Sequence, residues 1–526
     1  MEILSVGVSI VLVAVVACGW RMVEWVWFRP RRVERFLRQQ GLGGTQYRFL
    51  YGDWKTNTLM TQKAMSTPID FSQDPSSRVI PFAHQTVQTY GKDCFMWVGP
   101  IPKVILISPE YIKDATMKIR ECQKINANPM IKLLQSGLAQ YDGHKWEKHK
   151  RIVTPAFHLE KLKLLVPAFH ESSNMIISRW EKITSLEPEG SCEVDVWPHV
   201  QNLTSDAISR AAFGSSFEEG KKIFDLITEQ VDYTSEAVQK IYIPGWRFLP
   251  TKNNRRMKAI DKEIQGLIGN IIISKREKER VVGRDNKQDL LGTLLESNRR
   301  EIEENENKRS AGMSFEEVVE ECKLFYLAGQ ETTSILLLWT MVLLAMHPTW
   351  QQRAREEAFQ AFGDTDSPDF DGLNRLKVIS MILYEVLRLY PPVSEFGRSV
   401  AEDVKIGDLT LPEGTLVFFP TILIHRNKEI WGDDSCEFKP ERFSEGIAKA
   451  TNSQLAYIPF GWGPRICIGQ NFALTEVKLA ITLILRSFSF QLSPSYSHAP
   501  RQVLTLRPQH GAPMIIRKLH AHKSID

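Results

Sequence analysis

The sequence predicts a mainly α-helical protein with small β-sheets, preceded by one N-terminal transmembrane helix. Long amphipathic patterns interrupted by proline and glycine dominate from about residue 105 onward, which is typical of packed helices. Of the 526 residues, 43% are hydrophobic and 24% are charged, a composition that excludes disordered, collagen-like and coiled-coil chains. A polar stretch at residues 297–312 predicts an exposed loop. Short apolar runs typical of strands occur at residues 95–98, 104–107, 416–419 and 514–516.

The N-terminus has the pattern of a membrane anchor. Residues 3–20 form an uncharged run rich in Val, Ile and Leu. As a helix this run spans about 27 Å, close to the hydrocarbon thickness of an endoplasmic-reticulum bilayer. Trp20, Trp25, Trp27 and Phe28 follow at the depth where aromatic residues settle among the headgroups. A cleaved signal peptide is the alternative, but it places basic residues before the apolar run and small residues after it, the reverse of this order.

The positive charge of the chain is concentrated beside this run. Residues 21–38 contain six arginines and two acidic residues, an excess equal to the formal net charge of +4 of the whole chain, whereas residues 39–526 sum to +1. By the positive-inside rule the arginines remain cytoplasmic. We therefore expect a single-pass protein of the endoplasmic-reticulum membrane, with its bulk in the cytosol and the lipid bilayer as a partner. The near-neutral body argues against nucleic acid, which needs a basic footprint.

These patterns divide the chain into three parts. A membrane anchor covers residues 1–22, a basic juxtamembrane segment with a hinge covers 23–44, and one folded domain covers 45–526. The hinge is assigned to Gly41-Leu42-Gly43-Gly44, which predicts a flexible joint. This segment lacks the third glycine of a dinucleotide fingerprint and follows a helix-like stretch, so we expect no phosphate site there.

One long helix is marked clearly at both ends. Ser314 and Glu317 have the spacing of an N-terminal capping box, and the helical pattern then continues to His347 and stops at Pro348. Its length of about 50 Å is enough to cross a whole domain. Its centre, residues 328–334, contains Gly, Glu and paired Thr among apolar residues. Two interpretations stay open: a polar patch that faces the surface, or a helix loosened so that a ligand can lie against its backbone.

A glycine-rich loop at residues 460–469 contains Cys467. The seven cysteines of the chain are scattered and include no C-x-x-C, so neither a disulfide framework nor a zinc site of the usual spacing is indicated. A thiolate at Cys467 has a helix N-terminus near Gln470, loop N–H groups and Arg465 to stabilise it. A catalytic cysteine needs a histidine base, and the neighbouring sequence identifies none. A single thiolate ligand to haem iron fits this loop.

At this point the sequence resembles the cytochrome P450 family. The resemblance extends from about residue 30 to the C-terminus, and the motifs occur in the family's order and spacing. It implies the P450 fold, with residues 45–526 as the catalytic domain. The motifs that carry it are Ala328-Gly329-x-Glu331-Thr332-Thr333, Glu385-x-x-Arg388, Pro440-Glu441-Arg442-Phe443 and Phe460-x-x-Gly463-x-Arg465-x-Cys467-x-Gly469.

The resemblance also implies roles for individual residues. Cys467 corresponds to the axial ligand of haem b (iron protoporphyrin IX), whose electron-rich sulfur favours O–O cleavage, and Phe460 belongs to the same cofactor-binding loop. Glu331 and Thr332 match the acid–alcohol pair that delivers protons to bound oxygen, and Gly329 is expected to open a groove for dioxygen. Glu385, Arg388 and Arg442 match a buried Glu–Arg–Arg triad of the family. In contrast to the acid–alcohol pair, these residues are expected to build the fold and not to take part in catalysis.

The haem propionates need cationic or N–H partners. Trp146, Arg398 and Arg465 match the family positions that supply them. The family's usual arginine four residues after the tryptophan is Lys150 here, and Arg151 follows it. Lysine cannot pair with a carboxylate bidentately, so either Lys150 or Arg151 is the candidate at this position.

Across the whole chain the pattern is similar to a plant membrane-bound branch of the family that includes secologanin synthase and triterpenoid or steroid oxidases. This similarity implies an apolar substrate of terpenoid type (triterpenoid, steroid, iridoid or gibberellin), oxidised at a C–H bond. The segments that carry the similarity are Arg29-Pro30-Arg31-Arg32, Met65-Ser66-x-Pro68-Ile69-Asp70, Pro155-Ala156-Phe157-His158, Gly469-Gln470-Asn471-Phe472-Ala473 and Leu506-Arg507-Pro508-Gln509.

The chain shows no flavin or nicotinamide motif of its own, so electrons are expected from NADPH–cytochrome P450 reductase. Lys148, Lys150 and Arg151 predict a basic surface that attracts an acidic partner. Glu395 lies in a segment that lines the haem pocket in this family. It is expected either to bind a substrate hydroxyl or to point to solvent.

Three function classes remain open at this stage. A haem-thiolate monooxygenase uses all of these features. A non-oxygenating haem isomerase or dehydratase does not need Glu331 and Thr332. A membrane-bound haem protein without catalysis shows thiolate ligation but no NADPH-dependent turnover.

Overall fold

The structure is a computed structural model that describes residues 2–126, 128–238, 245–282, 289–304, 311–363, 368–451 and 453–519. Helices dominate it, as the sequence predicts. In chain order the α-helices are α1 Glu2–Val23, α2 Arg29–Gln39, α3 Trp54–Met65, α4 Ser76–Val79, α5 Pro81–Tyr90, α6 Pro109–Met117, α7 Gly143–Val153, α8 Leu159–Thr184, α9 Val196–Phe213, α10 Phe217–Val238, α11 Lys252–Val282, α12 Leu290–Glu304, α13 Phe315–Met346, α14 Pro348–Phe362, α15 Phe370–Arg375, α16 Lys377–Leu389, α17 Thr421–Ile424, α18 Lys428–Trp431 and α19 Gln470–Ser487.

The strands in the described part of the chain are β1 Gly43–Gly44, β2 Cys94–Val98, β3 Ile101–Ile105, β4 Cys122–Gln123, β5 Ser191–Asp195, β6 Phe396–Val400, β7 Val404–Ile406, β8 Leu409–Leu411, β9 Leu416–Phe419, β10 Phe488–Leu492, β11 Pro500–Gln502, β12 Leu506–Pro508 and β13 Pro513–Lys518. They form one larger sheet with the order β1-β2-β3-β9-β6-β4 and three small sheets with the orders β10-β13-β5, β11-β12 and β7-β8. All four strand-like runs of the sequence overlap strands, although β3 begins three residues before the predicted run at residues 104–107.

Helix α13 runs through the centre of the body. Both of its predicted ends are confirmed: Ser314 and Glu317 form the capping box, His347 ends the helix, and α14 begins at Pro348. Its side chains are buried on every side along most of its length, packed against α9, α11, α16 and α19. A helix that is apolar all round belongs in a core. The interpretation of its centre as a polar patch facing the surface is therefore wrong.

Among the residues that the structure describes, two helices are long and apolar enough to cross a membrane by length and composition. One of them is α13, which is mostly buried inside the protein. The other covers residues 9–39 near the N-terminus, and its apolar window is fully exposed. Exposed apolar side chains along one helix are unfavourable in water and favourable in lipid. The N-terminal helix is therefore compatible with a membrane anchor.

The glycines predicted to form a flexible joint are part of the fold. Strand β1 pairs in parallel with β2, and a Cβ added at Gly44 would lie 2.5 Å from the Phe95 ring and backbone. Helix α2 is fixed to the same sheet because Leu37 is fully buried and Arg38 donates a 2.9 Å hydrogen bond to the Gly44 carbonyl. Close backbone approach, and not flexibility, explains glycine here, so the predicted joint is wrong.

The predicted loop at residues 297–312 is also wrong over its first half. Residues 297–304 are the last two turns of α12, and Asn298 and Glu301 are buried. The Asn298 side chain accepts a 2.6 Å hydrogen bond from the Met313 amide and donates a 3.1 Å bond to its carbonyl. Residues 305–310 lie outside the described part of the chain. Hydrogen bonds between the Asn298 side chain and the Met313 backbone, which lie far apart in the sequence, therefore help to order this polar stretch as the end of α12.

A buried ion pair within α16 also contacts the chain segment that leads to the cysteine loop. Arg388 contacts Glu385 at two points, with Nε–Oε2 and Nη2–Oε1 distances of 2.7 and 2.8 Å, and both side chains are fully buried. Arg442 approaches the same carboxylate at 3.5 Å, and the Lys439 amide donates a 2.8 Å hydrogen bond to it. These contacts join two distant segments, which agrees with the structural role expected for the triad.

We predict that Glu385→Gln lowers the free energy of unfolding of the detergent-solubilised full chain by about 3–5 kcal/mol, because the substitution leaves the Arg388 charge buried without a counter-charge. Urea denaturation measures this effect. The control is Glu441→Gln, whose exposed 3.2 Å pair with Arg353 has little effect on stability. Equal losses in the two variants would contradict the role of burial.

Candidate active site around the cysteine loop

Cys467 lies between a short 3-10 turn, Gly463–Arg465, and the N-terminus of α19. Gly461 and Gly463 have φ values of 76° and 75°, which other residues rarely adopt. These turns let the Cys467 amide donate a 2.9 Å hydrogen bond to the Phe460 carbonyl. Burial raises the pKa of the Cys467 thiol above its usual value, and a hydrogen bond from the Gly469 amide offsets part of this rise. The loop thus holds one thiol against donors that favour its charged form once a cation binds.

Three of the predicted cofactor residues are brought together on one side of this loop. The Arg465 guanidinium lies 4.4 Å from the centre of the Trp146 ring, and Lys150 Nζ lies 5.0 Å from it. Lys150 also donates a 2.6 Å hydrogen bond to the Pro464 carbonyl. Arg465 pairs with Asp142, and its buried Nε has no hydrogen-bond partner among the described residues.

Arg398 joins the same region from β6. Burial lowers its pKa to about 10, and the nearby Arg465 charge adds to this effect. Lys124, which follows β4, has a pKa lowered to about 7, first by burial and then by Arg398 and Arg465, while Asp142 opposes the shift. The buried Arg398 Nε has no hydrogen-bond partner in the described chain. We call Lys124, Arg398 and Arg465 the cation cluster; its three cations share the single carboxylate of Asp142.

Arg151 points away from this cluster. Its guanidinium is paired with Glu301, with an Nε–Oε2 distance of 2.8 Å, and its side chain is 62% exposed. The structure therefore places Lys150, and not Arg151, beside Trp146. Lys148 is engaged as well, because its Nζ lies 2.6 Å from the Gly312 carbonyl and 3.3 Å from Glu317. The three basic residues do not form the open basic surface that the sequence predicts.

In the structure Gly329 lies against α9, and not on the side of α13 that is exposed, where a groove for dioxygen is expected. A Cβ added at Gly329 would lie 2.7 Å from Ile208 Cδ1, so the glycine allows α9 to approach closely. The exposed residue of this turn is Ala328, whose carbonyl accepts a 2.8 Å hydrogen bond from the Thr332 hydroxyl. Sequence reasoning missed Ala328, although it stands first in the motif.

Glu331 is held by the C-terminal hairpin β11-β12. Arg507 contacts both carboxylate oxygens, with an Nε–Oε1 distance of 2.6 Å and an Nη2–Oε2 distance of 2.7 Å. The Thr505 hydroxyl donates to Oε1 as well. Glu331 is buried, with only 3% of its surface exposed. The acid and the adjacent alcohol Thr332 therefore have separate partners, and Arg507 and Thr505 are functional candidates that sequence reasoning did not identify.

Glu395 neither points freely to solvent nor offers an unpaired carboxylate. Lys103 Nζ lies 3.1 and 3.3 Å from its two oxygens, and the same ammonium lies 3.7 Å above the Phe418 ring. The lysine is nearly buried and the glutamate about one-quarter exposed. Both interpretations of Glu395 overlooked the cation of Lys103 on β3, which is separated from β6 by β9 in the sheet.

A sequence model described as Cytochrome P450 matches residues 76–512. The chain belongs to the cytochrome P450 family. It is 53% identical to Cytochrome P450 72A397 of Kalopanax septemlobus over 95% of each chain. It is 51% identical to Cytochrome P450 72A15 of Arabidopsis thaliana over 99% of this chain and 100% of the relative. It is 50% identical to Secologanin synthase 1 of Catharanthus roseus over 96% of each chain. The resemblance to a plant branch of the family is confirmed.

Solved structures confirm the fold. A retinoic acid-bound cyanobacterial P450, CYP120A1, superposes with a TM-score of 0.74 at 21% identity, covering 91% of this chain and 99% of that chain. The haem domain of cytochrome P450DA gives the same TM-score at 24% identity, covering 91% and 98%. The mainly helical P450 fold with small sheets is therefore confirmed.

Haem iron is the cofactor of this family, and the residues present fit it. Haem iron can take a single thiolate as its protein ligand. The loop offers Cys467 for this role, and its sequence contains no second Cys and no His. The two propionates need positive charge, and the cation cluster carries more positive charge than the Asp142 carboxylate neutralises. The orphaned Nε atoms of Arg398 and Arg465 are donors of the required type. Trp146 and Lys150 lie next to Arg465.

We predict that Lys124→Met increases the rate of haem loss to a haem-scavenging protein about ten- to a hundredfold, because a charge-assisted hydrogen bond contributes about 1.5–3 kcal/mol. Lys132→Met, at an exposed position eight residues later, is the control. The absorption spectrum of the variant's bound haem should not change, because Cys467 is untouched. Equal haem loss from the two variants would exclude Lys124 from propionate binding.

Proposed function

We propose that the protein is a haem-thiolate monooxygenase that uses dioxygen and NADPH electrons to hydroxylate or further oxidise C–H bonds of an apolar plant terpenoid. The observation that carries the proposal is the combination of Cys467 at the start of α19, the cation cluster beside it, and an acid–alcohol pair on the central helix. An isomerase or a haem carrier has no need for Glu331 and Thr332, so this pair favours oxygenation.

When bound, haem b supplies the iron chemistry that activates dioxygen and inserts one oxygen atom into a C–H bond. The Cys467 thiolate would bind the iron and donate electron density to it. Trp146, Lys150 and the cation cluster hold and orient the propionates. Phe460 supplies the carbonyl that accepts the hydrogen bond of the Cys467 amide and so helps to fix the shape of the loop.

The chain's contribution to proton transfer lies on α13. The Thr332 hydroxyl donates to the Ala328 carbonyl at 2.8 Å, which fixes its oxygen on the same side of the helix as exposed Ala328. Glu331, one residue earlier, is the carboxylate of the pair, and Arg507 and Thr505 hold it in place. Proton transfer by positioned side chains contributes about 10²–10⁴-fold to rate.

The substrate class is proposed from the relatives and from the body of the chain. Secologanin synthase 1 of Catharanthus roseus, whose name specifies a terpenoid product, is 50% identical over nearly the whole chain. The body is close to neutral, and its central helix is lined by apolar residues. A triterpenoid, steroid, iridoid or gibberellin-type molecule fits these properties. The Lys103–Glu395 pair is a candidate contact for a polar substituent only if the two residues separate.

We also propose the cellular setting. The exposed apolar N-terminal helix would span the endoplasmic-reticulum membrane once, and the arginines of residues 21–38 would remain with the catalytic domain in the cytosol. There NADPH–cytochrome P450 reductase would supply electrons. Because Lys148 and Arg151 are paired with acidic residues, their charges would contribute little to attracting the reductase.

The proposal is tested with membranes that contain the full-length chain and the reductase. They are incubated with NADPH, isotopically labelled dioxygen and a panel of triterpenoids, steroids, iridoids and gibberellin-type acids. We expect at least one substrate to gain a labelled oxygen atom, and only when NADPH is present. Haem-loaded protein that converts no member of the panel, or that forms product without NADPH, would overturn the proposal.

We predict that Thr332→Ala lowers the yield of product per NADPH about tenfold or more, because the hydroxyl that relays the proton is lost. Thr332→Ser keeps the hydroxyl and should retain most of the wild-type yield. Product and NADPH are measured in the same incubation. If the alanine and serine variants behave alike, the hydroxyl is not the functional group.

A further inference from the structure

One pair of buried polar side chains takes no part in the proposed chemistry. His149 on α7 and Glu321 on α13 are both fully buried, and His149 Nδ1 lies 2.6 Å from Glu321 Oε1. The remaining polar atoms, His149 Nε2 and Glu321 Oε2, have no hydrogen-bond partner among the described residues. Glu317 Oε1 lies 3.6 Å from Nε2, beyond hydrogen-bond distance. A buried pair of this kind is costly, because both groups lose their hydration.

Helices α7 and α13 are already joined by other contacts near the surface. Lys145 Nζ lies 2.8 Å from Glu317 Oε1, and Lys148 Nζ lies 3.3 Å from Glu317 Oε2. Lys148 also donates a 2.6 Å hydrogen bond to the Gly312 carbonyl. These contacts attach α7 to the start of α13 without complete burial of any charge. Attachment of the two helices therefore does not by itself explain the buried pair.

The pair also holds the loop that precedes α7. The Leu138 amide donates a 2.9 Å hydrogen bond to the same Glu321 oxygen that faces His149. A Cβ added at Gly137 would lie 2.9 Å from the other oxygen, so the loop is pressed against the carboxylate. Further along the loop, the Tyr141 ring packs edge-on against the His149 imidazole, with 4.7 Å between the ring centres. Both members of the pair thus fix this loop.

This loop, residues 137–142, and α7 together orient Arg465. The Tyr141 carbonyl accepts a 2.9 Å hydrogen bond from Arg465 Nη1, and the adjacent Asp142 carboxylate pairs with Nη2. From α7, the centre of the Trp146 ring lies 4.4 Å from the guanidinium carbon. The protein thus contacts both Nη atoms, while the buried Nε has no partner in the described chain. A guanidinium that is otherwise fixed keeps one donor for an anion.

We propose that His149 and Glu321 are the positioning pair of the haem site: they hold the loop and α7 so that Arg465 meets a haem propionate in one orientation. The inference rests on the haem binding of the proposed function and deepens it. In this role neither member of the pair touches the cofactor, and no proton or electron is transferred. The pair acts through Tyr141 and Trp146, and Arg465 makes the contact with the propionate.

The alternative is that the pair only braces α7 against α13. Apolar side chains of similar volume can replace a brace, because packing alone then joins the two helices. They cannot replace a positioning pair, because the Leu138 amide loses its acceptor when Glu321 becomes apolar. The double variant His149→Leu/Glu321→Met therefore separates the two roles.

The first experiment compares stability with haem retention in the full-length holoprotein. His149→Leu leaves Glu321 buried without its partner, so the urea midpoint should fall, and adding Glu321→Met should recover most of that loss. Haem should nevertheless pass from the double variant to a haem-scavenging protein about tenfold faster than from wild type, because the hydrogen bond from Arg465 to the propionate is weakened. A double variant that recovers both its stability and its haem retention would show that the pair is a brace and would overturn the proposal.

The second experiment observes the propionate contact itself, through the propionate-bending bands in the resonance Raman spectrum of the holoprotein. These bands should shift in His149→Leu and in the double variant, because hydrogen bonding at the propionate changes. His149→Asn keeps an N–H donor near the position of Nδ1 and should recover most of the wild-type spectrum and haem retention. His144→Leu, at a fully exposed position on the same helix, is the control and should match wild type. If His149→Asn behaves like His149→Leu, or if no variant shifts the bands, the positioning role is wrong.

Failure of this inference is distinguishable from failure of the proposed function, since neither experiment uses substrate, NADPH or reductase. Wild-type protein that contains haem but oxidises no panel member contradicts the monooxygenase function, whatever the variants do. Wild-type protein that forms product, together with a double variant that retains haem as wild type does, contradicts only the positioning role of His149 and Glu321.

Discussion

Burial of α13 along almost its whole length is the constraint on which the rest of the structure depends. A helix in a core cannot leave a charge or a hydroxyl without a partner, because each unpaired buried group is costly. Glu331 is buried and therefore needs Arg507. Thr332, on the side of the helix where Ala328 is exposed, donates its hydroxyl to the Ala328 carbonyl. The hairpin that carries Arg507 is in turn fixed by Gln509 to the N-terminal part of the body. The burial of α13 thus determines both how the centre of the helix packs and where its polar side chains point.

The same principle applies on the cysteine side of the molecule. Burial lowers the pKa values of Lys124, Arg398 and Arg465, and repulsion by neighbouring arginines lowers those of Lys124 and Arg398 further. The Asp142 carboxylate opposes all three shifts. A folded protein retains such an arrangement when an anionic ligand completes it. Haem propionates meet that requirement, and the family supplies the cofactor. The positive charge that matters for chemistry is therefore local, while the excess in the net charge belongs to the N-terminal segment.

Local signals carried most of what the sequence could predict. The capping box at Ser314 and the proline at 348 define α13, because both act within a few residues of the helix ends. The glycine-rich loop around Cys467 is equally local. Residues that act through tertiary contacts left no such signal. Lys124 is one of them, because its lowered pKa depends on burial and on the charges of Arg398 and Arg465, which are distant in the sequence. The glycines at 43 and 44 predicted a joint because nothing in their sequence reveals that Phe95 lies against them.

Ligation of haem iron by the Cys467 thiolate is the central claim, and the absorption spectrum of the reduced, CO-bound full-length protein tests it most directly. The wild-type protein is predicted to show the long-wavelength Soret band that is typical of thiolate ligation. Cys467→His, which offers a neutral nitrogen ligand at the same place, is predicted to lose that band while still binding haem through the cation cluster. A wild-type spectrum without the thiolate band, or a Cys467→His spectrum that retains it, would contradict the account.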